Sequence, residues 1–305
     1  MDPIGHDNEA AGTPARPDHV QTKREIESIL ASAGLRPRKR LGQHFLIDGN
    51  LMRRLVEVAD VGTEDVVLEV GAGTGGLTDL LAGRAGRVVS VEVDRELFPI
   101  LQDRFASWPH VLFINTDVLE RKHEIAPEVV RALSESSQAN SRSVKLVANL
   151  PYHVATPLLM NLLLDHPIVS RFVFTVQAEV GDRLIAQADS RDFGPLAIIT
   201  QTLAIVSPVM KLPPHVFWPQ PEVDSVMMRM ETIPMPFADR AELHRFAKFV
   251  RGVFEHRRKT LRSALRYVVD DAVRDRLCKE YDTTRRPETF SREDWVTMFG
   301  IADGS

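Results

Sequence analysis

Val66-Val67-Leu68-Glu69-Val70, an apolar and β-branched run of strand length, leads directly into Gly71-Ala72-Gly73-Thr74-Gly75-Gly76 and then into the helical spacing of Leu77, Leu80 and Leu81. A strand, a glycine turn and a helix in that order constrain the fold strongly. Such a turn brings backbone close to a ligand at the carboxyl edge of a parallel sheet, where doubly wound folds bind nucleotides. Further strands are expected at residues 88–93, 111–114, 144–148 and 172–176, with later ones at 202–206 and 225–230. Together they predict an α/β, Rossmann-like domain around a seven-stranded mixed sheet, its last pair antiparallel at one edge.

The glycine spacing also fits Gly-x-Gly-x-x-Gly, and Glu92 lies about where a ribose-binding acid of a nicotinamide dehydrogenase would fall. The glycines alone leave that reading open. Three acids at successive strand ends point instead to S-adenosylmethionine: Glu69 before the first glycine, Glu92 at the end of the next strand and Asp117 after a third. In that reading Glu92 takes the ribose hydroxyls, Asp117 takes the adenine amino group of the cofactor, and Glu69 lies near the glycine loop.

A second motif names the chemistry. Val147-Ala148-Asn149-Leu150-Pro151-Tyr152 is an apolar strand running into a turn suited to grip an exocyclic amine. The amine of adenine is a poor nucleophile because its lone pair is delocalised into the ring. The Asn149 side-chain oxygen and the Leu150 carbonyl can both accept from it, aiming the lone pair out of plane, while Tyr152 stacks on the base. Pro151 fixes its own φ and keeps Leu150 extended. As four letters in isolation, the same residues also describe a strand-ending turn in which Asn caps backbone.

With these residues in view, the chain resembles the ribosomal RNA adenine-N6,N6-dimethyltransferases of the kasugamycin-resistance type. The likeness runs from Lys23 to about Gly300. It is carried by Arg36-Pro37-Arg38-Lys39-Arg40-Leu41-Gly42-Gln43-His44-Phe45-Leu46, the glycine turn, Asn149-Leu150-Pro151-Tyr152, Gln177-Ala178-Glu179-Val180, Phe217-Trp218-Pro219-Gln220-Pro221-Glu222-Val223-Asp224-Ser225 and the segment from Phe254 through Arg257-Arg258-Lys259-Thr260. The resemblance implies a methyltransferase fold with a small helical C-terminal domain. It implies that His44, Leu46, Gly71, Glu92, Asp117 and Asn149, with Gly73 of the same turn, surround S-adenosylmethionine, and that residues 149–152 also hold the target adenine. The implied substrate is two adjacent adenosines near the 3′ end of small-subunit rRNA in a pre-ribosomal particle, giving N6,N6-dimethyladenosine. A large-subunit rRNA adenine methyltransferase of the macrolide-resistance type shares the catalytic motifs, and a non-catalytic RNA-binding factor on the same fold is the remaining alternative. The intact Glu92, Asp117 and Asn149 argue for catalysis. His44 and His153 stand where the family often has Asn. His44 reads as an exchange of one hydrogen-bonding side chain for another, and His153 as a titratable neighbour of the amine-binding turn.

No metal is expected, since the ten histidines show no His-Glu-x-x-His pattern and Cys278 is the only cysteine. A net charge of −4 looks unfavourable for RNA, but the distribution matters more than the sum. Arg38, Lys39 and Arg40 cluster ahead of Gly42, and Arg257, Arg258 and Lys259 follow a helix whose apolar face is Leu243, Phe246, Phe249, Val250, Val253 and Phe254. Both clusters are expected to contact phosphates. The domains expected are a disordered tail over residues 1–22, a methyltransferase domain over 23–232, and a helical RNA-binding domain over 237–302 after the hinge Pro234-Met235-Pro236. Thr156-Pro157 is expected to open a helix over 158–164, and 134–143 to form a serine-rich loop. One cysteine leaves no internal disulfide and no apolar run is long enough to span a bilayer, so a soluble cytoplasmic enzyme is expected, with no membrane partner and as a monomer.

Overall fold

The computed structural model describes residues 19–121, 124–138 and 143–304. Its strands are β1 Phe45–Leu46, β2 Asp65–Val70, β3 Arg87–Glu92, β4 Val111–Asn115, β5 Leu119–Arg121, β6 Glu124–Ile125, β7 Ser143–Asn149, β8 Val169–Gln177, β9 Ala204–Leu212, β10 Phe217–Trp218 and β11 Ser225–Thr232. Its longer helices are α1 Lys23–Ser32, α2 Gly49–Ala59, α3 Gly76–Ala82, α4 Leu97–Arg104, α5 Pro127–Gln138, α6 Tyr152–Asp165, α7 Ala178–Ile185, α8 Pro195–Leu203, α9 Arg240–Phe254, α10 Leu261–Leu265, α11 Asp271–Glu280 and α12 Arg292–Asp303.

Seven strands form one sheet in the order β4-β3-β2-β7-β8-β11-β9. The pairs β4-β3, β3-β2, β2-β7 and β7-β8 are parallel. β2 is buried along its whole length, as a strand covered on both faces must be, which suits its Val66-Val67-Leu68 run. From β2 the chain order runs outward in one direction to β4 and in the other to β7 and β8. The reversal opens a crevice between the carboxyl ends of β2 and β7, the position at which such sheets bind ligands.

The chain divides into two compact units. The first comprises the described residues through Asn161, with Ile168–Ala178 and Pro208–Arg229; its core packs α2 residues Leu55, Val56 and Ala59 against Val67, Val147 and Val173 of the sheet. The second comprises Leu162–Pro167, Glu179–Ser207 and the described residues from Met230 onward. There the periodicity of α9 buries Leu243, Phe246, Phe249, Val250, Val253 and Phe254, as its spacing predicts, and Phe249 and Phe254 meet Trp295 of α12 at ring-centroid distances of 6.0 and 5.3 Å.

Several local expectations are corrected. Thr202 and Leu203 close helix α8, and the strand expected at 202–206 begins at Ala204 and continues to Leu212. The buried run through Ile198, Ile199 and Leu203 satisfies a helix as well as a strand, so an apolar segment of this length does not discriminate. Helix α6 begins at Tyr152, with Pro157 inside it. Pro157 cannot donate to the His153 carbonyl, a loss tolerated one turn in because Leu158, Leu159 and Leu162 are fully buried. The serine-rich segment is helical through Gln138 and extended from Ser143, and 139–142 lie outside the described residues.

Of the expected N-terminal tail, residues 1–18 lie outside the described residues, and 19–22 are packed rather than loose. Val20 packs against the first unit's core, Gln21 is buried, and Thr22 caps α1 in a reciprocal box with Glu25.

Candidate functional site

A cleft lies over the carboxyl ends of the central strands. His44, Leu46, Gly71, Gly73, Glu92 and residues 149–152 all line it, so most of the predicted set is brought together. Asp117 is not: it is exposed, and its carboxylate accepts from the Leu119 amide at 3.0 Å.

The glycine loop owes its path to backbone that only glycine adopts cheaply. Gly71, Gly73 and Gly75 have φ of 82°, 60° and 87°. At Gly73 the space is also closed: a Cβ there would lie 2.8 Å from Cε1 of Phe45. The Gly73 N–H donates to Oε2 of Glu92 at 2.7 Å, and the Asp94 N–H donates to Oε1 at 2.8 Å. Burial is the main force on the Glu92 carboxyl and pushes it up to about 7, although both amides pull it down. Glu69 is also pushed up to about 7 by burial, against hydrogen bonds to its Oε2 from Thr78 at 2.6 Å and Ser90 at 2.7 Å.

Two supports of this loop are not legible in its own residues. Gln21 donates through Nε2 to the Thr74 carbonyl at 2.9 Å and accepts through Oε1 from the Thr74 hydroxyl at 2.5 Å, a two-point clasp on the loop. Asp94 is held by Arg38, whose guanidinium donates to Oδ1 at 2.8 Å and also pairs with Glu96, and by the Gln43 amide at 2.9 Å. Arg38 thus braces the Glu92 loop, a use that its basic neighbours Lys39 and Arg40 do not share; both are exposed and form no ion pair among the described residues.

At the end of β7, Asn149 donates through Nδ2 to the His44 carbonyl at 2.8 Å and accepts through Oδ1 from the Thr175 hydroxyl at 2.5 Å. Tyr152 shares a hydrogen bond between its hydroxyl and that of Ser225 at 2.8 Å. Its ring is stacked with that of His44 at 5.6 Å and 25°, and its hydroxyl is pushed above the usual phenol range by burial. His44 donates through Nδ1 to the Pro219 carbonyl at 2.6 Å, which leaves the other ring nitrogen, Nε2, as the acceptor in the neutral ring. His44 is therefore a hub joining the β1 segment, the Pro219 loop and the Asn149 turn. His153 is exposed and lies over Gly42, where a Cβ would sit 3.2 Å from its Nδ1; it does not line the cleft.

In the second unit, Arg258 is exposed without an ion-pair partner among the described residues. Its neighbours are engaged. Arg257 donates to the Arg191 carbonyl at 3.0 Å, and Lys259 donates to the Tyr267 hydroxyl at 2.6 Å.

Residues 34–303 match the family model described as ribosomal RNA adenine dimethylase. The chain is similar to the "Ribosomal RNA small subunit methyltransferase A" of Bacillus mycoides (strain KBAB4), with 38% identity over 286 residues, 92% of this chain and 96% of that protein. Among solved structures, a dimethyladenosine transferase from Plasmodium falciparum aligns with a TM-score of 0.69 at 20% identity, over 84% of this chain and 96% of that one. The 23S rRNA methyltransferase ErmE aligns with a TM-score of 0.61 at 25% identity, over 85% of this chain and 99% of that one.

Proposed function

The chain belongs to the ribosomal RNA adenine dimethylase family, and from that premise we propose that it transfers methyl groups from S-adenosylmethionine to N6 of two adjacent adenosines near the 3′ end of small-subunit rRNA. It acts as a cytoplasmic monomer on a pre-ribosomal particle, producing N6,N6-dimethyladenosine. The observation that carries this reading is a cleft lined by both Glu92 and the Asn149 turn, which supports a diol-binding role for the acid and an amine-binding role for the amide.

The residues present suit the cofactor. Glu92 offers a carboxylate to the ribose hydroxyls, the glycine loop allows close approach of backbone, and Leu46 supplies an apolar wall. Asp117 is proposed for the cofactor's adenine amino group, giving up its bond to the Leu119 amide. When bound, S-adenosylmethionine supplies a methyl group already activated on a sulfonium. The protein's task is therefore alignment and exclusion of water, and alignment alone is worth about 7–11 kcal/mol.

Asn149 Oδ1 and the Leu150 carbonyl accept from the substrate amine and direct its lone pair. Tyr152, fixed by Ser225 and backed by the His44 ring, offers the base a surface of set orientation. No side-chain base is required, because the methylated ammonium is strongly acidic and loses its proton to water.

The helical segment 237–302 and the exposed Lys39, Arg40 and Arg258 are proposed to contact RNA phosphates, with Arg257 and Lys259 contributing once released from their neighbours. Arg38 acts through the cleft instead. The large-subunit reading rests on the likeness to ErmE at 25% identity, against 38% for the small-subunit relative.

The test is methyl transfer from labelled S-adenosylmethionine to undermethylated small subunits and, in parallel, to large subunits, followed by nucleoside analysis. N6,N6-dimethyladenosine on the small subunit alone supports the proposal. Label on the large subunit, or on neither, overturns it.

A further inference from the structure

We propose that Thr175 is a positioning residue for methyl transfer, acting through its hydroxyl on the Asn149 amide. This rests on the amine-binding role proposed for Asn149.

The backbone places the two residues side by side. β7 and β8 are parallel neighbours whose register pairs Lys145 with Arg171, Ala148 with Phe174 and Asn149 with Thr175. Partners in a parallel ladder project to the same face, so Thr175 and Asn149 follow the pair Val147 and Val173 on one side of the sheet. Val147 and Val173 belong to the apolar cluster under α2. Packing at position 175 calls for a β-branched side chain at the end of that row, and valine would serve it equally. The hydroxyl is therefore surplus to packing, yet it is buried and donates to Asn149 Oδ1 at 2.5 Å.

Its effect follows from the amide's donor and acceptor inventory. Asn149 Nδ2 is committed to the His44 carbonyl at 2.8 Å, and one lone pair of Oδ1 is committed to Thr175. One Oδ1 lone pair remains for the substrate amine. Attachment at both ends of the amide fixes its rotation, whereas the His44 bond alone leaves Oδ1 free to swing about that contact. Donation through Nδ2 also polarises the amide and enriches Oδ1 as an acceptor. Thr175 thus sets where that acceptor points, and small misplacements of an aligning group are expensive in rate.

The test compares Thr175→Val with Thr175→Ser. Valine conserves shape and removes the donor; serine restores the donor. Thr175→Val is expected to lower the single-turnover methyl-transfer rate about tenfold, the equivalent of one neutral hydrogen bond, with cofactor and RNA dissociation constants within about twofold of the parent. Thr175→Ser is expected to recover most of that loss. In an Asn149→Ala background, Thr175→Val is expected to add nothing further, since its only route to the reaction is gone.

A readout independent of turnover is solvent exchange of the Asn149 side-chain amide protons, expected to be faster in Thr175→Val than in the parent. Parental rate and exchange in Thr175→Val, or failure of serine to rescue, overturns the inference. If Asn149→Ala itself transfers methyl at the parental rate, the underlying reading of the amine site fails instead, and the two failures are distinct.

Discussion

The backbone N–H of Gly73 donates to the Glu92 carboxylate at 2.7 Å, tying the loop after β2 to the acid that ends β3. The loop and the acid are therefore held as one unit.

Cofactor affinity should follow the ionisation of Glu92. Burial pushes Glu92 up to about 7, so a substantial fraction is protonated near neutrality. A protonated carboxyl has less acceptor capacity for the ribose diol. The dissociation constant for S-adenosylmethionine, measured calorimetrically, is expected to fall from about pH 6 to about pH 8. Glu92→Gln is expected to bind more weakly and to lose most of this dependence. A parental curve in the variant would assign the titration elsewhere.

Glu69 gives the corresponding effect on stability. Its folded pKa of about 7 lies above the unfolded value of 4.5, so the native state holds the proton more tightly. That contribution is fully present below 4.5 and is lost as pH rises through 7, where the buried group must ionise. Glu69→Gln cannot ionise. Its stability relative to the parent, measured by denaturant unfolding, is expected to improve between about pH 5 and about pH 8. A difference that does not change with pH would contradict the assignment.

Removal of the Gln21 clasp should be felt in the cleft. Gln21→Ala leaves the Thr74 carbonyl and hydroxyl without their partners in a buried setting. The expected cost is about 1–3 kcal/mol of stability, together with a several-fold weaker hold on S-adenosylmethionine in the same titration. Parental values for both would make the clasp incidental.

The basic residues around position 38 should separate by role. Arg38→Ala is expected to weaken cofactor binding, because it removes one of the two side chains that hold Asp94, whose backbone N–H donates to Glu92. It should leave the salt dependence of RNA binding near the parental slope. Neutralising Lys39, Arg40 and Arg258 together should do the reverse, flattening the log-log slope by about 0.7–0.9 for each RNA phosphate no longer neutralised. A large slope change from Arg38 alone would reverse these assignments.

The central sheet is readable in the sequence because its strands carry short, mostly apolar and β-branched runs of strand length, such as residues 66–68, 88–91 and 172–174, at parallel-sheet positions. Part of the cleft is readable for the same reason: Glu92 and Asn149 end strands whose carboxyl edges this fold collects, whereas His44, which precedes β1 outside the central sheet, is readable only through the family resemblance. Gln21 and Thr175 are not readable in this way. Gln21 acts on a loop 53 residues further along the chain, and nothing local marks a polar residue before α1 as buried. The Thr175 hydroxyl has meaning only once the β7-β8 register sets it beside Asn149. The end of helix α8 reads as strand because Thr202 and Leu203 suit either structure, and Arg38 reads as an RNA contact because charge in a sequence does not reveal its partner.

Alignment of the adenine amine by the Asn149 amide is the step on which the proposed chemistry depends. The direct measurement is the single-turnover rate of Asn149→Ala on undermethylated small subunits at saturating S-adenosylmethionine, with RNA affinity measured alongside. The predicted result is a fall of about a hundredfold or more in rate, with RNA affinity within about twofold of the parent. Transfer at the parental rate would contradict that role.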